Sequence, residues 1–397
     1  MSVFEPLLEG VDVLTNMHAN TTIPEIHGAA RAYEVTGEER YRRIVETYWR
    51  MAVDERGFYA TGGQTCGELW APMGQQAARL GEFNQEHCAV YNMMRLAEYL
   101  LRWTGDSHYA DYWERNLWNG ILSQGYWKDD FNRDIFCDAT HRDTGLVAYY
   151  QGLSAGSQKH WGSHTHHFWC CHGTLVQANA SLQFGIFYQT DDGVAVCQYQ
   201  PAETKLAVNG NEVQLHMELD SFSDQNIRIR PVQREILSRP NMVRLLLQLH
   251  CEPSTEFTLR VRIPWWVQGK PVVTINGDEQ DFEVEGGYLL LRRTWANEKV
   301  TVAFVKTITC HPLPDAPHTV AFLDGPVVLA GLCQEERTLY GDPEHPAELL
   351  APRYERRWQE WTNYWKTVNQ PVNIDFMPLY QIGNQPYTVY FPIEEKH

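Results

Sequence analysis

Residues 84–123, NQEHCAVYNMMRLAEYLLRWTGDSHYADYWERNLWNGILS, decide the class of fold. The stretch reads as two helices, 84–103 and 107–123, with Thr104, Gly105 and Asp106 supplying the turn, and so as a helical hairpin. A second hairpin lies upstream. Residues 22–35 carry Pro24 in their first turn and Gly37 just past their end, and residues 38–53 follow at once. Between the hairpins lies the Gly-rich segment ATGGQTCGELWAP (60–72), and after the second comes a long stretch from Tyr126 to Trp169. Loops of that length in a compact domain are usually functional. A last helix is expected from about Thr174 to Leu182.

Beyond Leu182 the period changes from helical to alternating. FGIFYQT (184–190), GVAVCQYQ (193–200), VQLHMEL (213–219), VRLLLQLH (243–250), FTLRVRIPWW (257–266), VVTING (272–277), GYLLLRR (287–293), KVTVAFV (299–305) and TVAFLDGPVVLAG (319–331) all read as strands. Asn276 and Gly277 mark a hairpin turn, and the short spacing of the strands suggests β-sandwich modules. The expected class is therefore α+β and multidomain. Its length of 397 residues agrees, since one hydrophobic core stops growing near ~250 to 300 residues. The expected division is a helical domain over 1–186, a β-sandwich over 187–307 and a β-rich domain over 308–397.

Hydrophobic residues make up 43% and charged residues 21% of the chain, as in an ordinary globular protein able to bury a sizeable core. The formal net charge of -17 repels phosphate backbones, so nucleic acid is excluded as a partner. No basic start followed by an apolar run opens the sequence, and no apolar stretch is long enough to span a bilayer, so no membrane is expected. Nine cysteines without a regular framework favour reduced thiols in a cytoplasmic protein. Fourteen Trp and 20 Tyr offer flat faces with polar edges that suit sugar rings, or equally serve helix packing.

Several residues stand out as chemistry. Glu86 and Cys88 lie two apart at a helix start, where both can reach one ion only if the first turn is opened. Cys170 and Cys171 are adjacent before His172 and Gly173, and adjacent thiols converge only in an irregular turn that Gly173 could allow. Three thiolates and a carboxylate match zinc better than magnesium or calcium. The alternatives are two buried cysteines beside a helix-capping glutamate, or a vicinal disulfide. Glu68 in GGQTCGELW becomes a useful general acid if it is partly buried against Leu69 or Trp70. His18 precedes a helix that Thr21 or Thr22 can cap, and Glu114 sits between Trp113 and Trp118 on an aromatic helix, where it could equally pair with an arginine such as Arg102. His164, His166, His167 and His172 lack the i, i+4 spacing of a zincin and read as supporting or sugar-binding groups.

Taken in order, MHANTTIPEIHGAARAYEVTGEERY (17–41), the glycine-rich loop ending in Glu68, the EHC triplet (86–88), YWERNLWNGIL (112–122) and the CC pair (170–171) resemble glycoside hydrolase family 127, the β-L-arabinofuranosidases. LRVRIPWWV (259–267), VTINGD (273–278), GYLLLRRTW (287–295) and AFLDGPVVLAG (321–331) extend the resemblance over nearly the whole chain. It implies that Glu86, Cys88, Cys170 and Cys171 bind zinc, that Cys170 is also the nucleophile, that Glu68 is the general acid/base, and that His18 and Glu114 contact the sugar. The implied reaction is retaining cleavage of a furanosidic linkage in an oligosaccharide or glycoside. One departure is Phe168 and Trp169 before Cys170, where the family commonly carries a further cysteine in a CxCC-like run. The implied fold is an (α/α)6 barrel, an α/α-toroid, of which residues 1–186 supply about half the helices. That leads to the expectation of a truncated chain, of a homo-oligomer, or of a second chain completing the barrel. Two other readings stand beside the hydrolase: a catalytically impaired, zinc-containing carbohydrate-binding protein, and a sugar epimerase.

Overall fold

A computed structural model of the chain describes residues 3–126, 146–163, 167–220, 241–353, 356–357, 360–361 and 364–395. Helix α1 spans Phe4–Leu8, α2 Ala19–Thr36, α3 Glu39–Trp49, α4 His87–Thr104, α5 Ser107–Asn116 and α6 Cys170–Ser181. The two hairpins stand where the sequence puts them. Gly37 and Gly105 end α2 and α4 at φ 70°, and their N–H groups donate to Tyr33 O and Leu101 O, a left-handed cap that costs glycine little. Asp106 then caps α5 by accepting from His108 N at 2.9 Å.

Three helix starts differ from the sequence reading, two for a tertiary reason and one for a local one. Helix α2 begins at Ala19, with His18 rather than Thr21 or Thr22 at the N-cap position and no side-chain capping bond, because Ala19 N–H donates to Glu68 O at 2.8 Å; Pro24 therefore lies inside the helix. Helix α4 begins at His87 rather than Asn84, because Gln85 takes a left-handed φ of 49° and the segment is bonded to Tyr149–Gln151: Gln151 N donates to Asn84 O at 2.8 Å and Glu86 pairs with Tyr150. Helix α6 begins at Cys170, four residues early. There His172 Nδ1 accepts from Trp169 N at 3.0 Å and closes the first turn.

The hairpins share one apolar cluster that includes Ile23, Ile26, Ile44, Val45, Trp49, Leu96 and Leu100. Trp49 bridges them, edge-on to Tyr109 and Tyr112 with ring centroids 5.1 and 4.8 Å away. Six helices among the described residues before 186 are fewer than the paired ring implied by the resemblance requires.

A nine-stranded sheet occupies the chain from Phe187 to Val305. Its backbone is the antiparallel pair Met242–Arg262 and Tyr288–Val305, in register at Leu247↔Val300 and Leu259↔Leu291, with a bulge between Trp295 and Asn297. Both halves of this pair turn apolar side chains into one core, with Leu245, Leu247, Leu259, Val261, Leu289, Val300 and Phe304 among them. The Asn276–Gly277 turn forms as expected, with φ of 54° and 96°.

An eight-stranded sheet follows, from Ile308 to Glu394. Its core takes in Tyr59, Ala60 and Leu153 from the first half of the chain, alongside Leu323, Val328, Leu379 and Tyr387. The second sheet is thus packed onto loops of the helical region.

Candidate functional site

The four cysteine and glutamate residues singled out above converge. One ligand atom from each of Glu86, Cys88, Cys170 and Cys171 lies within 4.8 Å of all the others. The helix starts make this possible. Glu86 is the residue before α4, extended at φ -62° and ψ 131°, so it does not obey helical spacing and can face the same way as Cys88. Cys170 and Cys171 are the first two residues of α6, and their sulfurs are 4.0 Å apart in a regular first turn. The irregular turn expected there is absent, and Gly173 sits within the helix without a left-handed φ. Cys88 Sγ lies 3.5 Å from Cys171 Sγ and accepts from Thr174 Oγ1 at 3.0 Å.

The donor set fits a metal ion. A tetrahedron with zinc–sulfur bonds of about 2.3 Å has edges of about 3.8 Å, between the two sulfur separations given above. Glu86, Cys88 and Cys171 are almost fully buried, and Glu86 Oε2 has no hydrogen-bond partner. Left to themselves these groups oppose each other's ionisation. Burial, followed by the charges of Cys88 and Glu68, pushes the Glu86 carboxyl up to about 8. The hydrogen bond to Cys88, then burial and three neighbouring charges, holds the Cys171 thiol far up, and burial raises Cys170. Only Cys88 is lowered, to about 6, chiefly by its hydrogen bond with Cys171. A cation among them removes that conflict, because an opposite charge favours every ionised form at once. All three thiols also sit in the first turn of a helix, where the backbone dipole favours anions.

Glu68 stands beside this group on a two-residue hairpin turn joining Thr65–Cys66 to Leu69–Trp70. Gly67 and Glu68 have φ of 57° and 66°, so a glutamate occupies a left-handed position that ordinarily favours Gly or Asn. Its carboxylate is 3.1 Å from His18 Nε2 and accepts a hydrogen bond from the Tyr149 hydroxyl. That same hydroxyl is 3.5 Å from Cys170 Sγ, and Cys170 is the exposed member of the cysteine group. Tyr149 thus joins Glu68 to Cys170.

Glu114 is not brought to this group. It is buried on α5, accepting from Trp266 Nε1 at 2.9 Å and from the Arg262 guanidinium at 3.3 Å, where it ties the helices to the first sheet. The arginine it pairs with is Arg262 rather than Arg102. His164 and His166 lie outside the described residues. His172 closes the first turn of α6 as described.

Sequence reasoning missed Tyr149, Thr174 and Thr65, whose Oγ1 accepts from Glu86 N at 3.3 Å. The length of the stretch 126–169 was the one signal pointing toward Tyr149. No disulfide joins the eight cysteines among the described residues. Nor, among those residues, is any helix long and apolar enough to cross a membrane.

Helical hairpins that carry a cysteine–carboxylate group able to hold a metal ion, followed by two largely antiparallel sheets, form an arrangement with known counterparts. The profile of the β-L-arabinofuranosidase GH127 catalytic domain matches residues 1–184, and that of the GH127 middle domain matches residues 193–305. The chain belongs to glycoside hydrolase family 127. No curated protein sequence matches it. Among solved structures it is similar to a GH127 β-L-arabinofuranosidase from Geobacillus stearothermophilus T6, at 21% identity and a TM-score of 0.73, over 98% of this chain and 62% of that one. A GH127 β-arabinofuranosidase is similar at 20% identity and a TM-score of 0.73, again over 98% and 62% of the two chains. A third structure, a glycoside hydrolase, gives 19% and 0.72 over 96% and 67%. The chain therefore spans about three fifths of the length of the first two.

Proposed function

We propose that this chain is a zinc-dependent retaining glycoside hydrolase acting on furanosidic, specifically β-L-arabinofuranosyl, linkages. The observation that carries the reading is the single hydroxyl, Tyr149 OH, shared by Glu68 and Cys170. Acid/base and nucleophile of a retaining pair stand about 5 to 5.5 Å apart, a separation that one bridging hydroxyl spans.

Glu86, Cys88, Cys170 and Cys171 are the residues to hold the ion, which when bound keeps the thiols ionised at neutral pH. In the first step the Cys170 sulfur forms a bond to the anomeric carbon as the glycosidic carbon–oxygen bond breaks, and Glu68 gives its proton to the departing oxygen. In the second, Glu68 takes a proton from water, the water oxygen bonds to the same carbon, and the carbon–sulfur bond breaks with its electrons returning to Cys170. His18, 3.1 Å from the carboxylate, orients Glu68 between the two roles and faces the sugar. The free cysteines support a reducing, cytoplasmic setting.

A panel of p-nitrophenyl furanosides and pyranosides, read together with metal content by mass spectrometry, tests this. The expected result is turnover of the β-L-arabinofuranoside with retention of configuration and one zinc per chain. Glu68→Gln should lose about 10²- to 10⁴-fold in rate, and Cys170→Ser should show no measurable turnover. Stoichiometric zinc without turnover on any glycoside would instead establish the carbohydrate-binding alternative.

A further inference from the structure

The second sheet holds a network of buried polar groups that reaches the metal group and has no place in the reaction above. Lys159 is buried, and among the described residues no carboxylate pairs with its ammonium group. Its Nζ instead donates to three backbone carbonyls: Ser123 O at 2.6 Å, Leu379 O at 2.8 Å and Ile382 O at 3.2 Å. Three donors meet three acceptors, one from the helical region and two from the second sheet region. Ser123 Oγ in turn donates to Gln151 Oε1 at 2.6 Å, and Gln151 Nε2 donates to the Tyr387 hydroxyl. The Tyr387 hydroxyl donates to Gly152 O at 2.8 Å, and Tyr387 N donates to Ser157 O at 2.9 Å.

Gln151 is the hinge of this network. Its backbone N–H donates to Asn84 O, Tyr150 pairs with Glu86, and His87 N donates to Tyr149 O at 3.0 Å. The strip Tyr149–Gln151 therefore has Glu86 and the bridging Tyr149 on one side and the second sheet on the other. Buried polar networks of this kind are costly unless every member is satisfied, and when satisfied they fix one arrangement of the backbone.

We infer that Tyr387 and Lys159 are positioning residues of the metal and catalytic centre, acting through Gln151 on Tyr149 and Glu86, so that the second sheet is part of the catalytic apparatus rather than a detachable module. The inference rests on reading Glu86, Cys88, Cys170 and Cys171 as a metal group. Outer partners of metal ligands typically contribute 10- to 100-fold in metal affinity or activity.

The test uses Co²⁺ added to the metal-stripped full chain, read by thiolate-to-cobalt charge-transfer absorption, with kcat and KM measured separately. Tyr387→Phe removes one hydroxyl, Ser123→Ala removes the other anchor of the Gln151 side chain, and Lys159→Met removes the cation. Lys306→Met, which breaks the Lys306–Asp324 pair at 2.8 Å away from this network, is the control for general loss of stability. The expected result is cobalt affinity about 10-fold weaker in Tyr387→Phe and Ser123→Ala, with a shifted absorption band and a fall in kcat rather than a rise in KM, while Lys306→Met keeps the parental affinity and spectrum. Parental affinity and spectrum in both Tyr387→Phe and Ser123→Ala would overturn the inference even if Lys159→Met fails to fold. A parent chain that takes up no cobalt would overturn the metal reading itself, and this inference with it.

Discussion

The Tyr149 hydroxyl sits between a carboxylate and a sulfur, and burial together with those two neighbours drives its own ionisation well above the ordinary phenol range. It therefore remains a hydroxyl throughout the working pH range and acts as a donor that orients Glu68 while lying against Cys170. Tyr149→Phe keeps the ring packed against Tyr150 and Trp169, with centroids 4.6 and 5.6 Å away, and removes only the oxygen. The expected effect is a loss of about 10- to 100-fold in kcat/KM with unchanged metal content, measured on the arabinofuranoside and by mass spectrometry. At this scale residue type and spacing left the four candidate ligands open to other readings, and the family resemblance joined them into one set, because Cys170 and Cys171 lie far along the chain from Glu86 and Cys88. Tyr149 was not legible, since one tyrosine among 20 carries no local mark of its role.

At the scale of elements, the site depends on how the hairpins are joined, and one link is open to titration. His108 in α5 lies 3.3 Å from Asp54, just past α3, and the hydrogen bond from its ring to Asp54, opposed by burial, raises its pKa above 6.5. A raised folded-state value means that the protonated form is favoured by folding. The link therefore contributes fully below about pH 6.5 and fades as the pH rises through the higher folded value. With the ring half exposed, such a pair is worth about 0.5 kcal/mol. His108→Gln also loses the ring contact with Trp49, which does not depend on pH. The expected signature is a stability deficit in urea unfolding that is larger at pH 5.5 than at pH 9. A deficit equal at both values would mean that the ion pair contributes nothing. The hairpins themselves were readable from Gly37, Gly105 and Asp106, which act locally. Helix starts were misplaced wherever the first N–H or the preceding strand is bonded to a distant segment, as at Ala19 with Glu68 and at Asn84 with Gln151.

At the scale of the molecule, the helical region is fastened to the first sheet by a buried charge cluster. Arg262 is fully buried and bonded to Asp111 as well as Glu114, and its side-chain Nε donates to Cys197 O at 2.6 Å. Removing one partner of such a cluster leaves the other charge poorly matched. Glu114→Gln should lower unfolding stability by about 2 to 3 kcal/mol, measured by urea unfolding, and leave KM for the arabinofuranoside unchanged. A raised KM without loss of stability would restore the sugar contact that the family resemblance implied.

The order of helices and strands and the Asn276–Gly277 turn followed from residue type and spacing within a few positions, while the set of four candidate ligands came from the likeness of the whole sequence to a family. Tertiary structure alone decided that Glu86 escapes helical geometry, that Glu68 rides on a tight hairpin, that Glu114 faces a sheet and that Tyr387 reaches the centre through Gln151. Those facts rest on bonds between segments far apart in the chain, and nothing in the local chemistry of either segment announces its partner.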